Sequence, residues 1–475
     1  MSVRKAFVIS LSDKYASILI QLVGSMIVAR LLTPAEFGVF SLAMSVSILA
    51  QVFRDLGVGQ YLIQEKSLTT EKIRAAQTIL ITASLTLGTA VILSAEAAAA
   101  FYQEPKIIPL LWMLGANFFL LPVGAVTFAL WRRNLQFGRI AIIAILATLI
   151  NTLTTIVLAY KGYSYLSLGW GTLAGSLVTA GLCLAMKPEG VPYLPGLRGI
   201  KRVLHYSSLA TLNSLLETLN DRAPTLILGK TEGMEVVGIY ERAMTLALLF
   251  NQLLMNAIWS IATPLLAQKI RSGHNIESDY IKSVSLITAL GFGFMTWVAI
   301  AADPLILILF GDQWGAAVPL VQLICLLKMI GMPNNISSSL IIGHGNIQMH
   351  TRVTLVSKGG SIAGAIWGSQ WGVEGVLIGL IINIAIANCW IFFCIRRYVS
   401  IIKIIRESFF SLMLAVTLGA SMQLTLALFT EQTLIAWFVA SSVGAITWLI
   451  SLYTTSHPLA IEAKRTAIDH FRKIA

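Results

Sequence analysis

The sequence predicts an all-α integral membrane protein with about 14 transmembrane helices. They form two parallel six-helix repeats, or lobes, around a central cavity, and two further helices follow at the C-terminal end. Three observations carry this prediction. Hydrophobic residues fill 56% of the 475 positions and charged residues only 12%, about half the charged share of a globular protein. Apolar segments long enough to cross a bilayer core, about 20 residues each, recur along the whole chain. The basic residues alternate between the two sides of those segments: 24 of the 34 Lys and Arg fall on one side and 5 on the other. An excess of Lys and Arg marks the cytoplasmic side. That bias accounts for the net charge of +12 without any nucleic-acid partner, and it places both termini in the cytoplasm.

Taken in order, the predicted spans are 8–31, 37–56, 77–100, 107–131, 140–160, 165–186, 205–228, 236–266, 284–310, 318–342, 353–371, 373–395, 409–429 and 434–453. The first reads as an uncleaved anchor, since no cleavage site follows it. Spans 8–31 and 205–228 are unusually polar, and 353–371 is short and rich in glycine. Basic residues on the minority side are Arg30, Lys106, Lys161, Lys230 and Arg242. The loops are too short to hold a soluble catalytic domain. Backbone groups inside a bilayer must satisfy one another, which makes the body a helical bundle. The tail after Ser456 sets Ile461, Ile468 and Phe471 beside Lys464, Arg465, Arg472 and Lys473, the pattern of a short amphipathic helix on the inner surface.

The chain contains itself twice. At an offset of 200, Arg30 matches Lys230 and Gly38-Val39-Phe40 matches Gly238-Ile239-Tyr240; at 210 to 212, Pro122 matches Pro333 and Asn134-Leu135-Gln136 matches Asn346-Ile347-Gln348. The period covers six spans, an even number, so both copies share one orientation and are related about an axis along the membrane normal. Residues 1–186 form the N-lobe, 187–204 a linker, 205–398 the C-lobe, and 399–475 the last two spans with the tail. The linker is rich in Pro and Gly and carries Arg198, Lys201 and Arg202, which suits a segment lying on an anionic inner leaflet. Gly360, Gly364, Gly368 and Gly372 recur every four residues, giving one face on which helix backbones approach closely.

The first span of each lobe has a polar face. Ser10, Lys14, Ser17, Gln21 and Gly24 share one side, as do Ser207, Thr211, Ser214, Thr218 and Asp221, widened by Asn213, Glu217 and Asn220. Such a face must point into protein or water, and the repeat places both at equivalent positions, so one shared cavity accommodates them. Lys14, Arg222 and Lys328 are candidate cations of that cavity, with Lys328 near mid-span. The alternative for each is an interhelical ion pair, with Glu217 or Asp221 as acids for Lys328, or a side chain reaching back to the interface. Arg54-Asp55 and Asp221-Arg222 are adjacent opposite charges, which a helix turns about 100° apart. Trp112, Trp259, Trp297 and Tyr240 are candidates to stack on a ligand of the cavity, against interfacial anchoring or core packing. Cys183, Cys325, Cys389 and Cys394 all lie in apolar runs and read as buried free thiols. The sequence shows no metal-ligand spacing, phosphate-binding loop or catalytic nucleophile motif; neither cofactor nor catalysis is expected.

The stretch Ala29-Arg30-Leu31-Leu32-Thr33-Pro34-Ala35-Glu36-Phe37-Gly38-Val39-Phe40 resembles the signature of Wzx-type polysaccharide flippases, within the multidrug/oligosaccharidyl-lipid/polysaccharide exporter superfamily. Asp55-Leu56-Gly57-Val58-Gly59-Gln60 and Val237-Gly238-Ile239-Tyr240-Glu241-Arg242-Ala243 are similar to its pattern as well. The resemblance implies alternating access by two six-helix lobes in a bacterial inner membrane. It implies a lipid-linked oligosaccharide, carried on a polyprenyl diphosphate, as substrate, and other polysaccharide-assembly proteins as partners. Cationic cavity residues are common in the family, which fits Lys14, Arg222 and Lys328 in kind. A multidrug or small-metabolite exporter of the same superfamily is the main rival, since Asp13, Glu217 and Asp221 compete with those cations. A membrane glycosyltransferase or polymerase would need a large outer loop that this chain lacks.

Overall fold

The computed structural model describes residues 3–55, 57–188, 195–197, 200–255, 270, 276–431, 433–455, 457–459 and 464, with the side chains of residues 3–14, 201–213 and 254 outside that set. Among the described residues all regular structure is helical, and ten helical stretches are long and apolar enough to cross a membrane. The other predicted spans fall outside those ten for identifiable reasons. Spans 8–31 and 205–228 include undescribed side chains, span 236–266 runs beyond residue 255, and spans 353–371 and 373–395 join into one apolar stretch. The chain divides by packing into two compact units, Met1–Glu241 and Arg242–Ala475.

The first unit holds α1 (Val3–Leu31), α2 (Pro34–Asp55), α3 (Val58–Gln64), α4 (Thr70–Leu93), α5 (Ala95–Tyr102), α6 (Ile107–Arg133), α7 (Phe137–Tyr160), α8 (Leu166–Ala185), α9 (Ile200–Thr231) and the start of α10 (Met234–Phe250). Its helices meet through small residues. A Cβ on Gly24 of α1 would lie 2.2 Å from the Thr152 Cγ2 of α7, and one on Gly171 of α8 would lie 2.0 Å from the Thr155 Oγ1. Val58 and Leu62 of α3, Ala75 and Leu80 of α4, and Val126 and Ala129 of α6 form one buried cluster. Short α3 ends against Arg133, whose Nη1 donates to the carbonyls of Leu62, Ile63 and Glu65 at 2.9, 3.2 and 2.7 Å. That side chain replaces the donors a longer helix would have supplied. Lys72 stands 3.0 Å from Glu65, and its hydrogen bond holds the Glu65 carboxyl below the usual carboxylate range. Of the linker, Gly196 is tied to α4: its N–H donates to Thr78 Oγ1 at 2.9 Å, and its carbonyl accepts from that hydroxyl at 2.8 Å.

The second unit holds the rest of α10, then α11 (Glu277–Ile300), α12 (Ala302–Leu309), α13 (Ala317–Gly331), α14 (Ser337–Gly343), α15 (Ile347–Gly368), α16 (Gly372–Ile395), α17 (Ile401–Ala427) and α18 (Leu434–Thr454). The order of lengths repeats that of the first unit. A 24-residue helix followed by an 8-residue one occurs as α4–α5 and as α11–α12; then come 27 residues, as α6 and as Ala317–Gly343. The glycine ridge is a packing face. A Cβ on Gly368 would lie 2.1 Å from the Gly375 carbonyl oxygen, and one on Gly364 would lie 2.7 Å from that of Gly379. Gly372 differs: its φ of +75° begins α16 after the turn. Near the end of the chain, Ser285 of α11 hydrogen-bonds Glu407 of α17 at 3.1 Å and the His457 ring at 3.0 Å.

The cysteines depart in part from expectation. Cys183 and Cys325 are buried, but Cys389 is exposed and Cys394 half-buried, because the apolar run that contains them turns one flank outward.

Two predictions follow from this packing. Gly368→Ala forces backbone apart and should lower purified-protein stability by about 1–3 kcal/mol, read as a drop in melting temperature in detergent. Gly359→Ala, on the same helix with nothing within 4 Å of its Cβ, should leave the melting temperature unchanged or slightly raised. His457 is 4% exposed; burial lowers its pKa and the Glu407 charge partly offsets this. The unfolded chain therefore binds the proton more readily, so stability is full above the ordinary value of about 6.5 and is lost as pH falls through the lower folded value. Melting temperatures between pH 8 and 5 should fall less steeply in His457→Gln.

Candidate functional site

The start of α2 is built by the motif Thr33-Pro34-Ala35-Glu36. Thr33 Oγ1 accepts from the Glu36 N–H at 3.3 Å, and Glu36 Oε2 accepts from the Thr33 N–H at 2.8 Å, a reciprocal cap with Pro34 at the first helical position. Ser164 donates to the other Glu36 oxygen, which ties the cap to the start of α8. One turn on, α2 crosses the start of α10 with no side chain between them. A Cβ on Gly38 would lie 1.7 Å from the Met234 carbonyl oxygen, and one on Gly238 would lie 2.0 Å from that of Pro34. The paired Gly-Val-Phe and Gly-Ile-Tyr motifs thus mark the two sides of one backbone contact.

The predicted site residues of α9 lie on the helix that leads into α10. Ser214, Glu217 and Asp221 are exposed, so the described part of the polar face is open. Asp221 accepts from Asn220 at 3.0 Å. The Arg222 guanidinium stands 4.0 Å from Glu241, a carboxylate that also accepts from the buried Thr225; of the two readings for Arg222, the geometry displays an ion pair between α9 and α10. On α1, Gln21 is exposed, whereas Gly24 on the same face is pressed against α7. The side chains of Lys14 and Asn213, and Trp259, lie outside the described residues. Trp112 is exposed, Tyr240 is buried, and Trp297 donates to Ser441 at 3.1 Å, bridging α11 and α18. Arg54 and Asp55 do bond one another, because Asp55 is the last residue of α2 and Gly57 turns the chain at φ +65°. Arg242, counted from the sequence among the basic residues of the minority side, is 2% exposed. Its guanidinium lies 5.0 Å from the Phe310 ring centre and 4.9 Å from that of Trp314, an attraction that strengthens on desolvation.

Lys328 is half-buried in the last turn of α13, where the helix dipole favours a cation. Its helix stops three residues later. Pro333 lacks an N–H and the asparagines after it favour turns; Met332–Asn334 is a 3-10 turn, and the span resumes as α14. The matching Pro122 lies inside an unbroken α6, so proline alone does not decide the break. Four residues that sequence reasoning passed over secure it. Asn388 of α16 donates to the Ile330 carbonyl at 2.6 Å and accepts from Asn334 at 2.8 Å. Ser337 donates to Asn334 at 3.1 Å and meets the Tyr280 hydroxyl at 2.9 Å. The signal for them was present: two asparagines after a mid-span proline, and one more amide inside the most apolar helix.

The chain is similar to proteins of polysaccharide assembly. A family model described as "Polysaccharide biosynthesis protein" matches residues 27–319. The "Lipopolysaccharide biosynthesis protein WzxC" of Escherichia coli is 22% identical over 332 residues, covering 69% of this chain and 67% of that protein. The "Succinoglycan biosynthesis transport protein ExoT" of Rhizobium meliloti is 22% identical over 307 residues, 65% of this chain and 62% of that one. Among solved structures, "Lipid II flippase MurJ, inward closed conformation" aligns with a TM-score of 0.78 at 14% identity, covering 95% of this chain and 99% of that one. An inward-facing multidrug resistance MATE family transporter of the MOP superfamily aligns at 0.59, with 15% identity over 84% of this chain and 98% of that one. At these identities the structures establish the shared fold.

Asn388→Leu keeps the volume and removes the amide that serves the break. It should cost about 1–2 kcal/mol, read as a lower melting temperature, with faster amide hydrogen exchange confined to the Gly331–Ser337 segment.

Proposed function

We propose a flippase function for this chain, which belongs to the polysaccharide biosynthesis protein family. It moves a lipid-linked oligosaccharide from the inner to the outer leaflet of a bacterial cytoplasmic membrane during assembly of a cell-surface polysaccharide, and the lipid carrier is a polyprenyl diphosphate. The observation that carries this reading is the family match over residues 27–319. The exposed polar face of α9, with Ser214, Glu217 and Asp221 inside an otherwise apolar bundle, supports it. Sugar hydroxyls and a diphosphate are too costly to pass through hydrocarbon unaided. A polar face stands in for water while the prenyl chain stays in lipid, and Lys14 and Lys328 compensate the phosphates with charge-assisted hydrogen bonds. Arg222, held by Glu241, shapes the face more than it meets cargo. Gln21, Asn213, Glu217 and Asp221 offer partners to sugar hydroxyls.

Two lobes, 1–186 and 205–398, alternate access about the linker 187–204. The 24 to 5 charge bias supports cytoplasmic termini. Other polysaccharide-assembly proteins are partners in the same reading. A second reading, export of small cationic molecules, is favoured by the exposed acids Glu217 and Asp221. A deletion strain separates the two: lost surface polysaccharide with unchanged drug susceptibility supports the flippase, and the reverse supports the exporter.

Lys328→Met should cut flipping of a labelled lipid-linked oligosaccharide in proteoliposomes by about tenfold, the loss expected for one charge-assisted hydrogen bond, at near-normal membrane abundance. Lys328→Arg should retain more activity, since the charge persists. Unimpaired flipping in the Met variant would remove Lys328 from the site. Lost abundance, restored by removing an acid as well, would mark a structural ion pair instead.

A further inference from the structure

The basic ends of α15 and α16 enclose a cavity of about 570 Å³, lined among others by Arg352, Arg396, Arg397, Trp390, Phe393 and Cys394. Three guanidiniums share it. Among the described residues, no carboxylate forms an ion pair with any of them. Like charges gathered without a counter-charge repel, so the arrangement favours an anion. Aromatic rings hold two of the guanidiniums in place: Arg396 lies 4.1 Å over the Phe393 ring and Arg397 4.7 Å over that of Tyr398. Trp390 and Phe393 are themselves stacked, with ring centres 6.0 Å apart and planes at 17°. Arg397 also donates one N–H to the Met349 sulfur at 2.9 Å; a guanidinium has five N–H donors, and its edge matches phosphate oxygens two at a time.

The other half of the site is apolar. Ile378, Ile382, Ile386 and Trp390 follow one another at four-residue intervals along α16, and all are exposed. A hydrocarbon strip therefore runs from the arginines into the span. The remaining polar lining is sparse. Asn346 is committed to its own chain, accepting from the Met349 N–H at 3.1 Å, which leaves Gln348 as the one lining amide for a sugar. A charged head with few hydroxyls to satisfy, joined to long apolar chains, fits both halves.

We propose that this cavity binds the phosphate head of an anionic phospholipid of the inner leaflet, with its chains laid along α16. The proposal rests on the orientation given above, which sets the three arginines at the leaflet where anionic lipids concentrate. It does not depend on the transported cargo.

Cys394 reports the site directly. Cys389 is the other accessible thiol, and Cys183 and Cys325 are buried, so bimane attached to the Cys389→Ser protein reads the cavity. The labelled protein is reconstituted with brominated phosphatidylglycerol or brominated phosphatidylcholine at equal bromine density. Half-quenching should need at least about fivefold less of the anionic lipid, the gain from a single basic side chain near an anionic surface. Combining Arg352→Gln, Arg396→Gln and Arg397→Gln should make the two lipids equal. Arg352→Gln alone should narrow the difference, which keeps the test open if the triple variant does not fold. Removing similar charge nearby, by Lys403→Gln with Arg406→Gln, should leave the preference intact. Equal quenching in the unsubstituted cavity, or a preference that survives the triple variant, would overturn the proposal. So would relief of quenching by a polyprenyl diphosphate at a mole fraction where unbrominated phosphatidylglycerol has no effect, since the cavity would then belong to the cargo. Flipping by the same variants is measured separately and bears only on the transport reading.

Discussion

Every peptide group inside hydrocarbon has to find its partner within the protein, and the rest of the structure depends on that requirement. Long helices meet it by themselves. Where a helix is short or interrupted, a side chain from elsewhere supplies what the ladder lacks. Arg133 does so at the end of α3 with three carbonyls, and Asn388 does so at the break after α13. The two are chemically opposite solutions. The first uses a charge beside a loop, with lysine and glutamate close by. The second uses a neutral amide inside a span, where an ion would be costly. Lys328 sits two residues before the Ile330 carbonyl that this amide network serves, so the segment that carries it is held by uncharged hydrogen bonds.

The same solvent gives helices little reason to associate through apolar side chains, since lipid is equally apolar. Close approach replaces it. Gly171 against Thr155, Gly364 against Gly379 and Gly368 against Gly375 bring neighbouring helices nearly into backbone contact. Paired helices of this kind behave as rigid bodies, and rigid bodies can carry a polar face such as that of α9 without collapsing around it.

Much of this was legible in the sequence because helix length and apolar run coincide in a bilayer. Spans 107–131, 140–160 and 373–395 begin and end within a few residues of α6, α7 and α16. What was hidden has physical reasons. A bend at Ser94 or Ala301 leaves hydrophobicity unchanged, so α5 and α12 were absorbed into the runs before them. Matching prolines predicted matching helices, yet Pro122 is tolerated in α6 and Pro333 is not in α13, because the residues around Pro333 offer competing turn hydrogen bonds. Charge counting assigned Arg242 to one side of the membrane but could not show its burial, since composition cannot see two aromatic rings brought in from more than 60 residues away. The open acids Glu217 and Asp221 were found by periodicity alone, whereas the pairing of Arg222 needed Glu241, a residue on the next helix.

The contact between Gly38 and Gly238 has a thermodynamic character of its own. No side chain from either glycine enters it, so the two glycines themselves add no rotamer entropy to separating or re-forming the contact. The free-energy difference between joined and parted then rests on backbone surface, on the Thr33–Glu36 cap and on the buried cluster that Met234 shares with Val39 and Leu42. The fewer side chains a seam has to reorder, the more nearly it can re-form along the path by which it parted.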